Sequence, residues 1–218
     1  MEKARCQSKV PVKLDLEVVS LTPRVFIIEN FLSDAEATEI IRLAKPTLHH
    51  SSVGDVTAGA FESDTRTSVN SWIPREKTPL IDSIYRRAAD LVQIDEKLLY
   101  RTHNGEDMQV VHYEKGQHYD AHHDFGVSGF PESRFLTMLM YLTDPVSPTA
   151  GGETSFPKAF QGKHGEGFKV LPKKGNAVLF YDLLPDGNGD ELSLHAAMPT
   201  TEGEKWLANF WIWDPKLR

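Results

Sequence analysis

Four of the nine histidines, His112, His118, His122 and His123, fall within or at the edge of the segment Tyr113 to Asp124. Such density points to metal chemistry. Residues two apart in an extended chain project to the same face, so His122 and Asp124 can bind one ion together while His123 points the other way. A third ligand has to come from elsewhere in the fold. His195, in Leu192-Ser193-Leu194-His195-Ala196-Ala197, is the only histidine inside a later strand-like run. Two imidazoles and one carboxylate on a face leave coordination positions open, which suits non-haem Fe(II) and oxygen chemistry. Lys205 follows His195 by ten residues, where its ammonium can meet the carboxylate of a cosubstrate.

Two other readings use the same residues. A zinc helix built on His118 and His122 would need a catalytic Glu after His118, where Tyr119 stands, and Gly116 argues against a helix. A His-rich hairpin exposed to solvent is the plain alternative, and spacing alone does not exclude it.

The elements that must position these groups are strands. Short apolar or alternating runs punctuated by Gly and Pro occupy Met108 to Tyr113, Phe135 to Leu142, Gly152 to Phe156, Phe168 to Leu171, Ala177 to Tyr181, Leu192 to Met198 and Trp206 to Trp213. Two helices precede them. Ser33 to Glu36 forms a capping box ahead of Ala37, Ile40, Ile41 and Ala44, with Pro46 as the stop. Thr78-Pro79 opens a second helix with Leu80, Ile81, Ile84, Tyr85, Ala88, Leu91 and Val92 on one stripe. This order predicts an α+β fold in which a β-sandwich or jelly roll is buttressed by N-terminal helices. One domain is expected over residues 1–218, with a helix-rich support and substrate loop to about residue 107 and the jelly-roll core from 108. Residues 52–72 read as a loop able to close over a peptide or as an ordinary surface loop, Trp72 as a buried scaffold residue or a groove aromatic, and Gly151 to Gly167 as partly an irregular surface loop.

Composition removes other classes. With 40% apolar and 25% charged residues the chain is ordinary for a globular protein, and its apolar runs are far shorter than the roughly 20 residues of a bilayer span. No membrane span is expected. A net charge of −7 opposes attraction to phosphate backbones, so nucleic acid is not an expected partner. The lone Cys6 rules out an internal disulfide. Together with an amino end lacking the apolar stretch of a secretory signal, it favours the cytoplasm, the secretory pathway staying open if the chain was trimmed.

Seven ordered motifs extend the match beyond the ligands: Arg66-Thr67-Ser68; Val111 to Gln117; His122-x-Asp124; Arg134 with Leu139 to Leu142; Gly151 to Thr154; Lys174 to Phe180; and Ser193-Leu194-His195 with Lys205-Trp206. In these the chain resembles the 2-oxoglutarate and Fe(II)-dependent dioxygenases, specifically prolyl 4-hydroxylases of the plant, algal and viral type. The resemblance implies a double-stranded β-helix with His122, Asp124 and His195 holding iron and Lys205 pairing with the distal carboxylate of 2-oxoglutarate. It implies that Tyr113 and Thr154 hydrogen-bond the cosubstrate, and that Arg66, Ser68, Tyr119, Arg134 and Trp211 line the peptide groove, Arg134 and Trp211 nearest the chemistry. The implied reaction hydroxylates peptidyl proline at C4 while 2-oxoglutarate is decarboxylated to succinate and CO2, with ascorbate as a further cofactor.

Two departures bear on substrate and compartment. Trp213 stands where relatives commonly carry histidine, and Ala196-Ala197-Met198 replaces a Gly-Gly-Cys frequent in plant relatives. The alternatives are a dioxygenase acting on another peptide residue or a small molecule, and a non-catalytic module that binds proline-rich peptide.

Overall fold

A computed structural model describes residues 14–52, 64–127, 133–159 and 167–214. The strands β1 (Asp15–Leu21), β2 (Arg24–Glu29), β3 (His49–His50), β4 (Val69–Ile73), β5 (Met108–Tyr113), β7 (Arg134–Tyr141), β10 (Ala177–Tyr181) and β12 (Lys205–Trp213) form one sheet. Their order is β1-β2-β10-β7-β12-β5-β4-β3. A second sheet, of order β6-β11-β8-β9, is built from β6 (Tyr119–His122), β8 (Thr154–Phe156), β9 (Phe168–Val170) and β11 (His195–Ala197). Two antiparallel sheets packed against each other in this way make a jelly-roll type of sandwich.

The helices form where their end signals stand. Ser33 caps α1 (Asp34–Ala44) through the capping box with Glu36, and Thr78 caps α2 (Pro79–Val92), which carries Pro in its first turn. The chain leaves α1 through a short 3-10 turn, Lys45–Thr47, that contains Pro46. Helix α1 buries Ala37, Ile40 and Ala44, and α2 buries Ile81, Ile84, Tyr85, Ala88 and Ala89. Ile41, Leu80, Leu91 and Val92 sit at the margin of the core.

Alternation along the long strands divides the interior in two. On β12, Trp206, Ala208, Phe210 and Ile212 join Met138, Met140 and the helix residues Ile40, Ile81 and Ile84 in one cluster. Leu207, facing the other way, joins Val111, Leu139, Tyr141, Phe156 and Phe180 in a second cluster between the sheets. Every residue of β5 and β12 is therefore buried, which explains their mostly apolar reading, interrupted by Gln109, His112, Lys205 and Asn209. Burying a large apolar side chain contributes about 1.5–3 kcal/mol, so these central strands anchor whatever they present to the cleft.

Several expectations need adjustment. The first half supplies β1 to β4 to the larger sheet and is not only helical support. The run Leu192 to Met198 is not one strand: a 3-10 turn, Glu191–Ser193, precedes β11. Gly151 and Gly152, at φ 74° and 77°, delay β8 to Thr154. Of the expected closing loop, residues 53–63 lie outside the described residues, and its far end, Val69–Ile73, is a strand.

Candidate active site and metal centre

His122 ends β6 and His195 begins β11, and the two are register partners across that strand pair. This pairing brings together imidazoles 73 positions apart in sequence. Asp124 lies just beyond the end of β6, buried, with Oδ1 3.5 Å from Nε2 of His122 and Oδ2 3.7 Å from Nε2 of His195. One donor atom from each of the three lies within 4.8 Å of the others.

Both imidazoles are oriented so that they could ligate a metal. Nδ1 of His122 is 2.8 Å from the carbonyl oxygen of Asp120, and Nδ1 of His195 is 3.1 Å from that of Ser193. A carbonyl only accepts, so each Nδ1 carries the hydrogen and each Nε2 keeps its lone pair for the centre. Burial pulls His195 down to about 4, so it stays neutral. Burial alone would raise Asp124, but the neighbouring His195, His122 and Arg134 outweigh it and hold the carboxylate well below its usual range. His123 turns to the Glu191 carbonyl and the Phe125 ring, outside the ligand set, as the alternation requires.

Lys205 opens β12 opposite Tyr113 of β5. Among the described residues nothing hydrogen-bonds its buried Nζ, which lies 5.4 Å from the Tyr113 ring centroid and 5.7 Å from that of Tyr141. Burial pulls the ammonium down to about 7. A buried cation without a partner is costly, and an anionic ligand carboxylate would satisfy it. The donor set suits a ferrous ion, and the orphaned lysine suits a dicarboxylate, so both groups fit this cleft. Thr154 is buried on β8 with its hydroxyl 2.7 Å from that of Tyr141, and burial pushes Tyr113 up to about 12. Tyr141 belongs to one of the quoted motifs but was not expected to hold Thr154.

A groove of about 860 Å³ is lined by His122, Asp124, His195, Tyr113 and Thr154, with Lys205 behind Tyr113 and not on its wall. Arg66 lines it with its guanidinium 4.6 Å from the Tyr119 ring centroid and Nη2 donating to Gln109 Oε1 at 3.0 Å. Tyr119 stacks on His122 at 3.7 Å. Arg134 reaches Glu106 through Nε at 2.7 Å and Nη2 at 3.0 Å and lies 3.8 Å over Trp211. Trp211 donates Nε1–H to Asp124 Oδ2 at 2.8 Å. Ser68 is not on the groove wall: it is buried and donates to Ser51 Oγ at 2.9 Å. Of the two readings of Trp72 the groove one holds: it is 41% exposed, lines the groove and packs 6.0 Å from Trp211. Glu106, Gln109, Thr137 and Asp182 were missed. A carboxylate or amide within an otherwise apolar run was the available signal for Gln109 and Asp182, whereas Glu106 stands in a polar turn and Thr137 is an ordinary strand residue.

Residues 108–213 match the family described as the 2OG-Fe(II) oxygenase superfamily. A probable prolyl 4-hydroxylase 8 of Arabidopsis thaliana is 38% identical over 216 residues, covering 90% of this chain and 71% of that protein. The chain belongs to the prolyl 4-hydroxylases. Prolyl 4-hydroxylase 2 of the same plant is likewise 38% identical, over 89% of this chain and 68% of the relative. Among solved structures, the viral collagen prolyl hydroxylase of Paramecium bursaria Chlorella virus-1, in complex with 2-oxoglutarate, superposes with a TM-score of 0.67 at 28% identity. That match covers 87% of this chain and 95% of the viral one. As a family member the chain is an Fe(II)- and 2-oxoglutarate-dependent dioxygenase.

Proposed function

We propose that the protein hydroxylates C4 of proline within a peptide or protein, coupled to decarboxylation of 2-oxoglutarate to succinate and CO2. The observation that carries this reading is the convergence of His122, Asp124 and His195 on one point in a groove that Tyr113 and Thr154 also line, with the buried Lys205, whose Nζ has no hydrogen-bond partner among the described residues, 5.4 Å from the Tyr113 ring. Fe(II) and 2-oxoglutarate, when bound, supply the oxidising power drawn from O2, and ascorbate keeps the iron reduced.

The chain's own residues then bind, orient and exclude water. His122, Asp124 and His195 hold the ion, Lys205 pairs with the far carboxylate of the cosubstrate, and Tyr113 and Thr154 hydrogen-bond it. Arg66, Tyr119, Arg134 and Trp211 form the groove for an extended proline-containing segment, which offers few donors and suits an aromatic surface with a few polar clamps. Ser68 acts behind that wall, through the Ser51 and Asn70 side chains. The N-terminal helices α1 and α2 brace the larger sheet from its far side, and the whole works as one catalytic unit.

Incubation of purified protein with proline-rich peptides, Fe(II), ascorbate and 2-oxoglutarate tests the reading. Stoichiometric succinate and 4-hydroxyproline are the expected products. Oxygen found by mass spectrometry on another residue would point to a different dioxygenase substrate, and peptide binding without turnover to a non-catalytic module.

A further inference from the structure

Thr137, on β7 and fully buried, places one hydroxyl between two carboxyl groups. Its Oγ1 lies 2.7 Å from Asp124 Oδ2 and 2.8 Å from Asp182 Oδ2. Both are hydrogen-bond distances. A hydroxyl has one hydrogen to give, so one of these contacts is a donation from Thr137 and the other needs a hydrogen on a carboxyl oxygen.

The two carboxyls are not equivalent. Asp124 Oδ2 also receives the Trp211 Nε1–H at 2.8 Å, and Arg134 Nη1 lies 3.9 Å from Oδ1. Its surroundings are those of an anion. Asp182 is fully buried one residue past β10, and among the described residues its Oδ1 has no partner. Burial first, and the nearby Asp124 charge second, push Asp182 well above the ordinary carboxyl range. Taking Asp124 as a ligand of the ion, as under Proposed function, we propose that Asp182 is a positioning residue: a neutral carboxylic acid that donates from Oδ2 to Thr137 and so turns the Thr137 hydrogen onto Asp124 Oδ2. Thr137 and Trp211 are register partners on β7 and β12. Their two donations saturate Oδ2 and leave Oδ1, beside His122 Nε2, to face the ion. The charges of a ferrous ion, Asp124, a dianionic cosubstrate and Lys205 already cancel, so a neutral Asp182 adds direction without adding charge.

The experiment compares wild-type, Asp182→Asn and Asp182→Leu proteins, stripped with chelator and titrated with Mn(II), with infrared spectra of the metal-free proteins. Asn keeps an N–H donor for Thr137, and Leu does not. The expected result is Mn(II) affinity within about twofold of wild type for Asp182→Asn and about 10-fold or more weaker for Asp182→Leu, in the range measured for residues that orient metal ligands. The wild-type spectrum should contain the carbonyl stretch of a buried protonated carboxylic acid, absent from Asp182→Asn. An ionised Asp182 predicts the opposite, with no acid band and both variants weakened alike, and either result overturns the proposal. Should Asp182→Leu fail to fold, the Asn variant and the infrared band still decide. Failure of the wild type to bind Mn(II) would strike at the metal site itself and is distinct from loss of the acid band.

Discussion

The indole of Trp211 and the carboxylate of Asp124 are joined by a hydrogen bond of 2.8 Å, Nε1–H to Oδ2. A residue read as a groove aromatic therefore also fixes the carboxylate proposed as a metal ligand. Trp211→Phe keeps the ring face for Arg134 but removes the donor. We expect Mn(II) affinity to fall about 10-fold, as for other groups that orient ligands. Calorimetric titration of the variant checks this, and a loss confined to peptide KM would show that the bond is idle.

Asp124 is the acceptor for both Thr137 and Trp211, so the manner of its removal matters. Asp124→Ala should end turnover and also strand the buried Trp211 Nε1–H, at about 1–3 kcal/mol, while Thr137 can turn its hydroxyl to Asp182. Asp124→Asn should end turnover as well but keep an acceptor and unfold closer to wild type. Thermal unfolding of the two metal-free variants is the measurement, and equal midpoints would refute the pairing.

Lys205 gives a pH dependence of definite sign. Its ammonium sits near 7 in the folded chain, against an unfolded value of about 10.4. Between those values the unfolded chain holds a proton that the folded, cosubstrate-free protein lacks, so this group makes stability rise with pH across the window. A dianionic cosubstrate restores the charge. At pH 8 2-oxoglutarate should bind with proton uptake, and its affinity should fall as pH climbs past about 7. Calorimetry in buffers of different ionisation enthalpy reads the proton directly. Lys205→Arg, always charged, should abolish the uptake, and Lys205→Ala should chiefly raise the cosubstrate KM.

Arg134 meets Glu106 through two nitrogens while its guanidinium carbon lies 3.8 Å over the Trp211 ring. Lysine can reproduce neither the fork nor the stacking. For Arg134→Lys we expect kcat/KM for peptide to drop at least 10-fold with the 2-oxoglutarate KM unchanged, as steady-state kinetics with each substrate varied would show. Loss of both parameters together would mean that the pair supports the whole cleft.

Trp72, 41% exposed, packs on Trp211 at the groove surface. Trp72→Ala should cost about 0.5–1.5 kcal/mol of stability through the lost Trp211 contact, short of the ~3–5 kcal/mol of a core tryptophan, while weakening peptide binding by about 0.5–1.5 kcal/mol of aromatic contact. Denaturant unfolding beside a peptide titration separates the two. A large stability loss would return Trp72 to the core.

Much of the metal centre is legible in the chain because its determinants are local. His122 and Asp124 share a face by the period of an extended backbone, and the cap signals at Ser33 and Thr78 and the apolar runs of β5, β10 and β12 mark elements within a residue or so. His195 and Lys205 are recognisable by residue type at a strand-like run, and the family motifs order them. The remainder depends on register between strands distant in sequence. That His195 faces His122, that Thr137 and Trp211 stand side by side beneath Asp124, and that Ser68 turns inward while Trp72 turns out are outcomes of β6 meeting β11, β7 meeting β12 and β4 meeting β5. Composition and spacing choose the ligands, but only the tertiary pairing decides which buried polar groups share a hydrogen, because a shift of one residue in any of these strands would turn every side chain to the opposite face.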